Sequence, residues 1–379
     1  MKQQLFFWAT IVTSGGLCLA ALAEDATVSA SCTEAAKKLA QGAQLGDGSP
    51  AEETFYRDAA TDCPAMPDAH HNLGVLLLKQ KKLDLAEAEF TKALSIKESA
   101  DSRLALASAL VELQRYGEAE AAYQKVIEKE PKNARAFIGL GVLYERRKNS
   151  ERAVEVLHKA TALDPDSELA FFNLGAVEER SGQLEAALAA YERAWEINPK
   201  NIETGLFLGL LYVKMGKFDE AEHVLAQALL IKPEDVELQR AMGVVYQQQG
   251  DLDKAELALR KAVTLAPQDV FSQIDLGLVL IAKKQEGLAE ESLKKAVALA
   301  PRNARALSAL GWAQLALGKY NEAEASLKLA VELDSNEASA HNNLGVLYQR
   351  SGRSEEAQSE FAAALKVDPG LDEAKKNSR

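Results

Sequence analysis

From residue 140 onward the dipeptide Leu-Gly, once Met-Gly, returns every 34 residues: Leu140-Gly141, Leu174-Gly175, Leu208-Gly209, Met242-Gly243, Leu276-Gly277, Leu310-Gly311 and Leu344-Gly345. Twelve residues after each glycine stands an alanine, from Ala153 to Ala357, and seven further on stands another, from Ala160 to Ala364. Eight of the ten prolines share one slot: Pro64, Pro131, Pro165, Pro199, Pro233, Pro267, Pro301 and Pro369. A period kept at several slots together leaves little freedom of fold. Each period must be one copy of a small structural unit, and a unit that small buries its apolar face only against its neighbours. The 379 residues, which would suggest two or three globular domains, therefore predict a repetitive array.

Within the unit Ala338 to Leu371 the apolar residues Leu344, Leu347 and Tyr348, then Ala357, Phe361, Ala364 and Leu365, recur at spacings of three and four, one stripe per helix. Each unit reads as two amphipathic helices. Gly182, Gly216, Gly250, Gly318 and Gly352 supply the turn between them, and proline ends the second helix because it lacks an N–H and restricts the residue before it. Small residues at the Gly and Ala slots allow close helix approach, with a larger residue such as Phe90, Tyr123, Leu157, Tyr191 or Phe361 filling the space beside them. With 47% apolar residues the chain has the material for such a core. Its 44 Lys and Arg against 56 Asp and Glu, a net charge of −12, argue against a phosphate-tracking surface and hence against nucleic acid as partner.

Slot by slot, this pattern of Leu-Gly, Tyr, Ala, an aromatic, Ala and Pro resembles the tetratricopeptide repeat. Nine units fall at 67–99, 100–133, 134–167, 168–201, 202–235, 236–269, 270–303, 304–337 and 338–371. The second departs most, with Ala107 in place of Gly, and irregular packing is expected there. A degenerate capping repeat is read from Thr33, where Ala40, Tyr56, Ala59 and Pro64 keep their slots and Glu52 replaces the alanine, within an N-terminal segment of residues 24–66. Residues 372–379 form a charged stub. The resemblance implies an all-α, right-handed superhelical solenoid of about ten repeats, with the first helices lining a concave groove that holds a peptide or protein segment.

Residues 1–23 carry one cation, Lys2, then an apolar run from Leu5 to Leu22 ending in Ala21-Leu22-Ala23, the layout of a cleaved secretory signal, with a retained membrane anchor as the alternative. Leu17 before Cys18 does not suit a lipid-attachment site. No other stretch approaches the ~18 continuous apolar residues of a membrane span, so none is expected in the mature chain. Absence of an Asn-x-Ser/Thr sequon favours a bacterial envelope, on its periplasmic or extracellular side. Two cysteines then remain, Cys32 and Cys63, an even number in an exported chain. In the degenerate unit they lie just before the first helix and at the end of the second, ends that antiparallel helices bring together. A disulfide is expected, against the alternative of two unpaired buried thiols.

No Walker loop, His-Glu-x-x-His, Gly-x-Ser-x-Gly or zinc-spaced cysteine pairs are present, so the chain reads as no enzyme, with no cofactor or metal expected. An enzyme of the glycosyltransferase sort would need a catalytic domain after residue 371. Adjacent histidines such as His70 and His71 point about 100° apart on a helix, and His70 takes a slot filled elsewhere by Phe137, Phe171 and His341, which favours packing over ligation. Carboxylates such as Glu220 and Glu222, near Lys217, read as a solvated face.

The function implied is a protein-interaction scaffold or adaptor. The alternative is a structural protein that pairs with copies of itself through its groove or ends. Family members that hold a terminal carboxylate use Lys and Asn on successive first helices. The matching positions here, His71 and Val75, Ala105, Arg135 and Gly139, do not form that set. Asn72, Asn173 and Asn343 occupy the slots of a backbone-holding asparagine ladder, broken by Ala105, Gly139, Phe207, Ala241, Asp275 and Ala309, so each is either a ligand residue or a plain helix-surface residue. Groove slots in the unit at 236 are mixed (Glu237, Arg240, Val244, Gln247, Gln248), whereas those at 270 are all apolar: Phe271, Ile274, Leu278, Ile281 and Ala282. With Leu206, Leu210, Val213, Trp312 and Leu315 they predict an apolar patch suited to a hydrophobic or amphipathic segment. The alternatives are that curvature buries these side chains or that copies pair through them.

Overall fold

The computed structural model describes residues 30–378, and the expected leader, residues 1–23, lies outside them. All regular structure among the described residues is α-helix, in two compact units that meet in sequence at Asn198 and Pro199. Unit 1 holds α1 (Ala30–Leu45), α2 (Pro50–Asp62), α3 (Pro67–Lys79), α4 (Leu83–Ile96), α5 (Ala100–Glu112), α6 (Tyr116–Lys129), α7 (Ala134–Arg146), α8 (Ser150–Leu163), α9 (Glu168–Arg180) and α10 (Leu184–Ile197). Unit 2 holds α11 (Ile202–Lys214), α12 (Phe218–Ile231), α13 (Val236–Gln249), α14 (Leu252–Leu265), α15 (Val270–Ala282) and α16 (Glu286–Leu299). It continues with α17 (Ala304–Ala316), α18 (Tyr320–Leu333), α19 (Ala338–Arg350), α20 (Ser354–Val367) and the short α21 (Asp372–Asn377).

Local chemistry sets the helix ends. The loops after six of the prolines, Pro131 to Pro301, deliver an Asn, Ser or Asp whose side chain accepts a backbone N–H of the next first helix, as Asn133 does from Ala136, Asp269 from Ser272 and Asn303 from Ala306. First helices end in a left-handed residue that lets the chain turn back, with bonds such as Gly182 N to Glu179 O and Gln183 N to Glu178 O. Glycine serves at six such turns, Gly46 after α1 among them. Lys81, Gln114, Lys148 and Lys284 adopt the same positive φ in the other units.

The two helices of a pair are held close by the Leu-Gly slot. A Cβ on Gly74 would lie 2.6 Å from Phe90, on Gly277 2.5 Å from Leu293, and on Gly345 2.6 Å from Phe361, each partner standing sixteen residues later. Within each unit, successive first helices also pack on one another, whereas successive second helices make no comparable contact. The first-helix layer is therefore the inner, concave one. α1 is the exception, packing on α2 without a comparable contact to α3.

Where Ala107 replaces the glycine, the expected irregularity takes the form of a local exchange. Tyr123, sixteen residues on, is fully buried, and its hydroxyl lies 3.2 Å from Ser108 Oγ. Its ring reaches Gly139 on the next first helix, where a Cβ would stand 2.3 Å from Cε1. The space lost at 107 is regained at 139. At the N-terminal pair Glu52, in an alanine slot, is buried yet satisfied: its carboxylate accepts Gly48 N at 2.7 Å while Ser49 Oγ accepts Glu52 N, a reciprocal cap. Cys32 and Cys63 are bonded as expected, with Cα atoms 4.8 Å apart. Closing a loop of this length restricts the unfolded chain by roughly 3–4 kcal/mol.

Histidines 70 and 341 are packing residues with a polar task. His70 Nδ1 faces Glu89 Oε2 at 2.6 Å and Nε2 faces Pro64 O at 3.2 Å, and His341 repeats this with Glu360 at 2.6 Å and Ser335 O at 3.2 Å. In the same slot, Gln239 and Gln273 donate to Pro233 O and Pro267 O at 3.0 and 3.3 Å, so this position fastens a first helix to the loop preceding it.

Glu178 takes a slot that Tyr144, Tyr246 and Tyr348 fill elsewhere. It is buried, with His158 Nε2 3.7 Å from one oxygen and no hydrogen-bond partner on the other. Burial pushes its carboxyl up to about 7.

Two effects on stability are expected. Gly139→Ala overpacks Tyr123 and should cost about 1–3 kcal/mol in urea unfolding, whereas Ala107→Gly costs only its helix propensity, about 1 kcal/mol. For Glu178 the folded value lies above the ordinary 4.5, so the wild type loses stability as pH rises from 4.5 to about 7 and no further above that. The advantage of Glu178→Gln over the wild type should accordingly grow by about 3 kcal/mol between pH 4.5 and pH 8, read from urea midpoints at each pH. An advantage that does not change with pH would contradict the assignment.

Candidate functional site

The concave layer of unit 2 is built from α11, α13, α15, α17 and α19, whose packing faces are filled by Leu208, Met242, Leu276, Leu310 and Leu344, all buried. What remains on these helices decides what the groove offers. Phe271 and Leu210 are exposed, at 42% and 37%. Leu206, Val213, Leu278, Ile281 and Trp312 are half-buried, Leu278 and Ile281 resting on the core around Leu276 and Leu280, and Trp312 on that around Leu344 and Leu347. The expected apolar patch is thus present, with two corrections. Ile274 and Leu315 are 0% and 1% exposed and belong to the core, Ile274 beside Ala296 and Ala306, and Leu315 beside Leu327 and Leu344. The physical cause is the packing of successive first helices. Ile274 stands in the slot where Ser308 and Asn342 are buried as well, whereas Leu206 and Arg240 in the same slot of earlier repeats stay half-buried.

Amid the patch sits a charged trio. Asp275, 3% exposed, accepts Arg305 Nη2 at 2.8 Å on one oxygen and Arg240 Nη1 at 3.3 Å on the other. Arg240 also lies over the ring of Phe271, 5.7 Å from its centroid. One carboxylate on α15 thereby ties together α13, α15 and α17. By its slot in the repeat Arg240 was expected in the groove, and Asp275 only as a break in the asparagine ladder. Their spacing of 35 residues, one repeat plus one, was the signal that they meet.

The asparagines do not act as a set. Asn173 is buried, its Nδ2 donating to Leu169 O of its own helix at 2.7 Å, which takes it out of reach of a peptide backbone. Asn343 donates to Ser308 Oγ at 3.4 Å, and Asn72 is half-buried. His71 lies 3.0 Å from Ser102 Oγ, and burial lowers its pKa. Among the described residues no group of three or more His, Cys, Asp or Glu is arranged to hold a metal, and no helix is long and apolar enough to cross a membrane. Outside the groove, Leu230 and Leu257 on second helices are 83% and 72% exposed, a feature for which the repeat pattern gives no signal.

The chain matches the family model described as Cilia and flagella-associated protein 70 C-terminal domain over residues 16–310. Two tetratricopeptide repeat models match residues 313–352 and 338–371. No curated protein matches it. Among solved structures, a tetratricopeptide repeat protein from Parabacteroides merdae ATCC 43184 is similar at a TM-score of 0.53 and 18% identity, over 65% of this chain and 98% of that one. A chain of the APC/C hetero-tetramer Cut9-Hcn1 is similar at a TM-score of 0.51 and 18% identity, over 88% of this chain and 59% of that one. At such identities the likeness concerns the fold alone.

Removing the central carboxylate leaves two guanidiniums facing each other across α15. Asp275→Ala is expected to cost about 2 kcal/mol, less than a fully enclosed ion pair because Arg305 is half exposed. Adding Arg305→Ala should restore part of the loss in urea unfolding, and a double variant as unstable as the sum of the singles would deny the coupling.

Proposed function

The chain belongs to the tetratricopeptide-repeat family, and on that premise we propose that it is a protein-interaction scaffold whose second unit holds an apolar or amphipathic segment of a partner polypeptide. The observation that carries this reading is the set of apolar side chains left uncovered on the concave layer: Phe271 and Leu210 exposed, with Leu206, Val213, Leu278, Ile281 and Trp312 half-open beside them. Packing does not require them, since the slots between helices are already filled. Apolar side chains facing water are costly unless another molecule covers them for part of the time. Rigid helices hold the anchors in place, so little ordering is lost when a segment docks. The signal-like N-terminus, the sequon-free sequence and the bonded cysteines together support a place on the outer side of a bacterial membrane.

Self-association is the second reading, favoured by Leu230 and Leu257. On the first and last described helices charged side chains are exposed, Glu34 and Lys37 on α1 and Asp372, Glu373, Lys375 and Lys376 on α21. Light scattering over a range of concentrations separates a monomeric scaffold from a self-assembling one.

Leu278 touches core residues, so the probes of choice are the more exposed Leu210 and Phe271. A random twelve-residue peptide library displayed on phage and selected on the purified chain should enrich apolar-rich sequences. Leu210→Asp with Phe271→Asp should weaken the selected peptides about tenfold or more while the melting temperature stays within a few degrees. Enrichment unaffected by the double substitution would overturn the assignment of the groove.

A further inference from the structure

The N-terminal pair is held differently from every other pair. α1 buries only Ala35, Leu39 and Gly42, whereas α3, at the same place in the next pair, buries seven residues. The later first helices lean on their neighbours within the unit, and α1 has no comparable contact with α3. Its strongest ties run to α2. Lys38 reaches the half-buried Asp62 at 2.7 Å and the exposed Asp58 at 3.7 Å, Gly42 receives the ring of Tyr56, and Cys32 is bonded to Cys63. α2, in contrast, is anchored to the next pair of helices. Tyr56, Ala59 and Cys63 share a core with Ala35 and Leu39 of α1 and with Leu73, Leu76 and Leu77, and Glu53 pairs with Lys82 at 2.9 Å ahead of α4.

We infer that the Cys32–Cys63 bond is a redox-operated fastening, whose reduction by a dithiol releases α1 while α2 and the helices after it remain folded. Cys32, in the first turn of α1, is half-buried and open to attack, whereas Cys63 is buried at the end of α2. A thiolate of the dithiol attacks Cys32 Sγ, the S–S bond breaks, and Cys63 leaves as a thiolate that takes up a proton. The second thiol of the reductant then attacks its own sulfur in the mixed disulfide and displaces Cys32, which is protonated in turn. Two electrons pass to the protein, two cysteine thiols form, and the reductant ends as a cyclic disulfide. With the bond gone, α1 keeps only Ala35 and Leu39 in the shared core and the Lys38 pairs, which do not offset the entropy of ordering sixteen residues. Its departure uncovers the face of α2 around Tyr56 and Ala59 that Ala35 and Leu39 cover.

Hydrogen–deuterium exchange on the full chain tests this, with dithiothreitol as the dithiol. Reduction should speed exchange of residues 30–45 about tenfold or more, and leave α3 through α20 unchanged. The double variant Cys32→Ser, Cys63→Ser should show the reduced pattern without reductant and ignore its addition. Protection of residues 30–45 that survives reduction, or that persists in the double variant, would overturn the inference. So would a loss of protection spreading through α3 and α4, because the bond would then hold the array and not one helix.

Discussion

The approach of two helix backbones at a glycine is the contact on which every pair but the one at Ala107 depends. At Gly74, Gly141, Gly209, Gly243, Gly277, Gly311 and Gly345 the side chain sixteen residues later occupies the volume a methyl group would need. This closeness fixes how the pair crosses, which sets where the next pair must sit to cover both apolar stripes. Period, layering and groove are consequences of one distance. The unit around Ala107 shows how firmly the distance is enforced: when the glycine is lost, the aromatic ring is redirected and a glycine appears at 139 to receive it.

This explains which parts of the structure were legible in the sequence. The slots between helices tolerate few residue types, so they repeat visibly, and the helices, their turns and the Cys32–Cys63 pairing could be read from spacing and family likeness. Contacts between successive first helices tolerate many types and leave no repeating mark. For that reason Ile274 and Leu315 read as groove residues although they are core, and Asn173 read as part of a ladder although it serves its own helix. The Arg240–Asp275–Arg305 trio was hidden likewise, because its three members sit in three different repeats. The fastening of first helices to loops by His70, Gln239, Gln273 and His341 left no visible pattern, since two chemically different side chains do the same work.

The groove of unit 2 combines two demands that normally oppose one another. Apolar side chains must stay open for a partner, and the helices that carry them must remain fixed relative to each other without using those side chains as glue. Asp275 answers the second demand with charge: a buried carboxylate bonded to guanidiniums from both flanking helices ties the floor together and leaves Phe271 and Leu278 above it. Such a floor is specific in register, since shifting one helix by a turn would strand a buried ion.

Within either unit the first helices, α1 apart, touch in series, and the second helices make no comparable contact. Mechanically, the inner layer is therefore the spine about which a unit flexes. Tension along a unit would work first on the contacts between pairs, each smaller than the contact inside a pair, and would leave the pairs themselves intact. Each unit should behave as a soft spring with stiff coils, able to lengthen and recoil by small rotations between pairs, so that a pull on a docked segment can be absorbed before any helix melts.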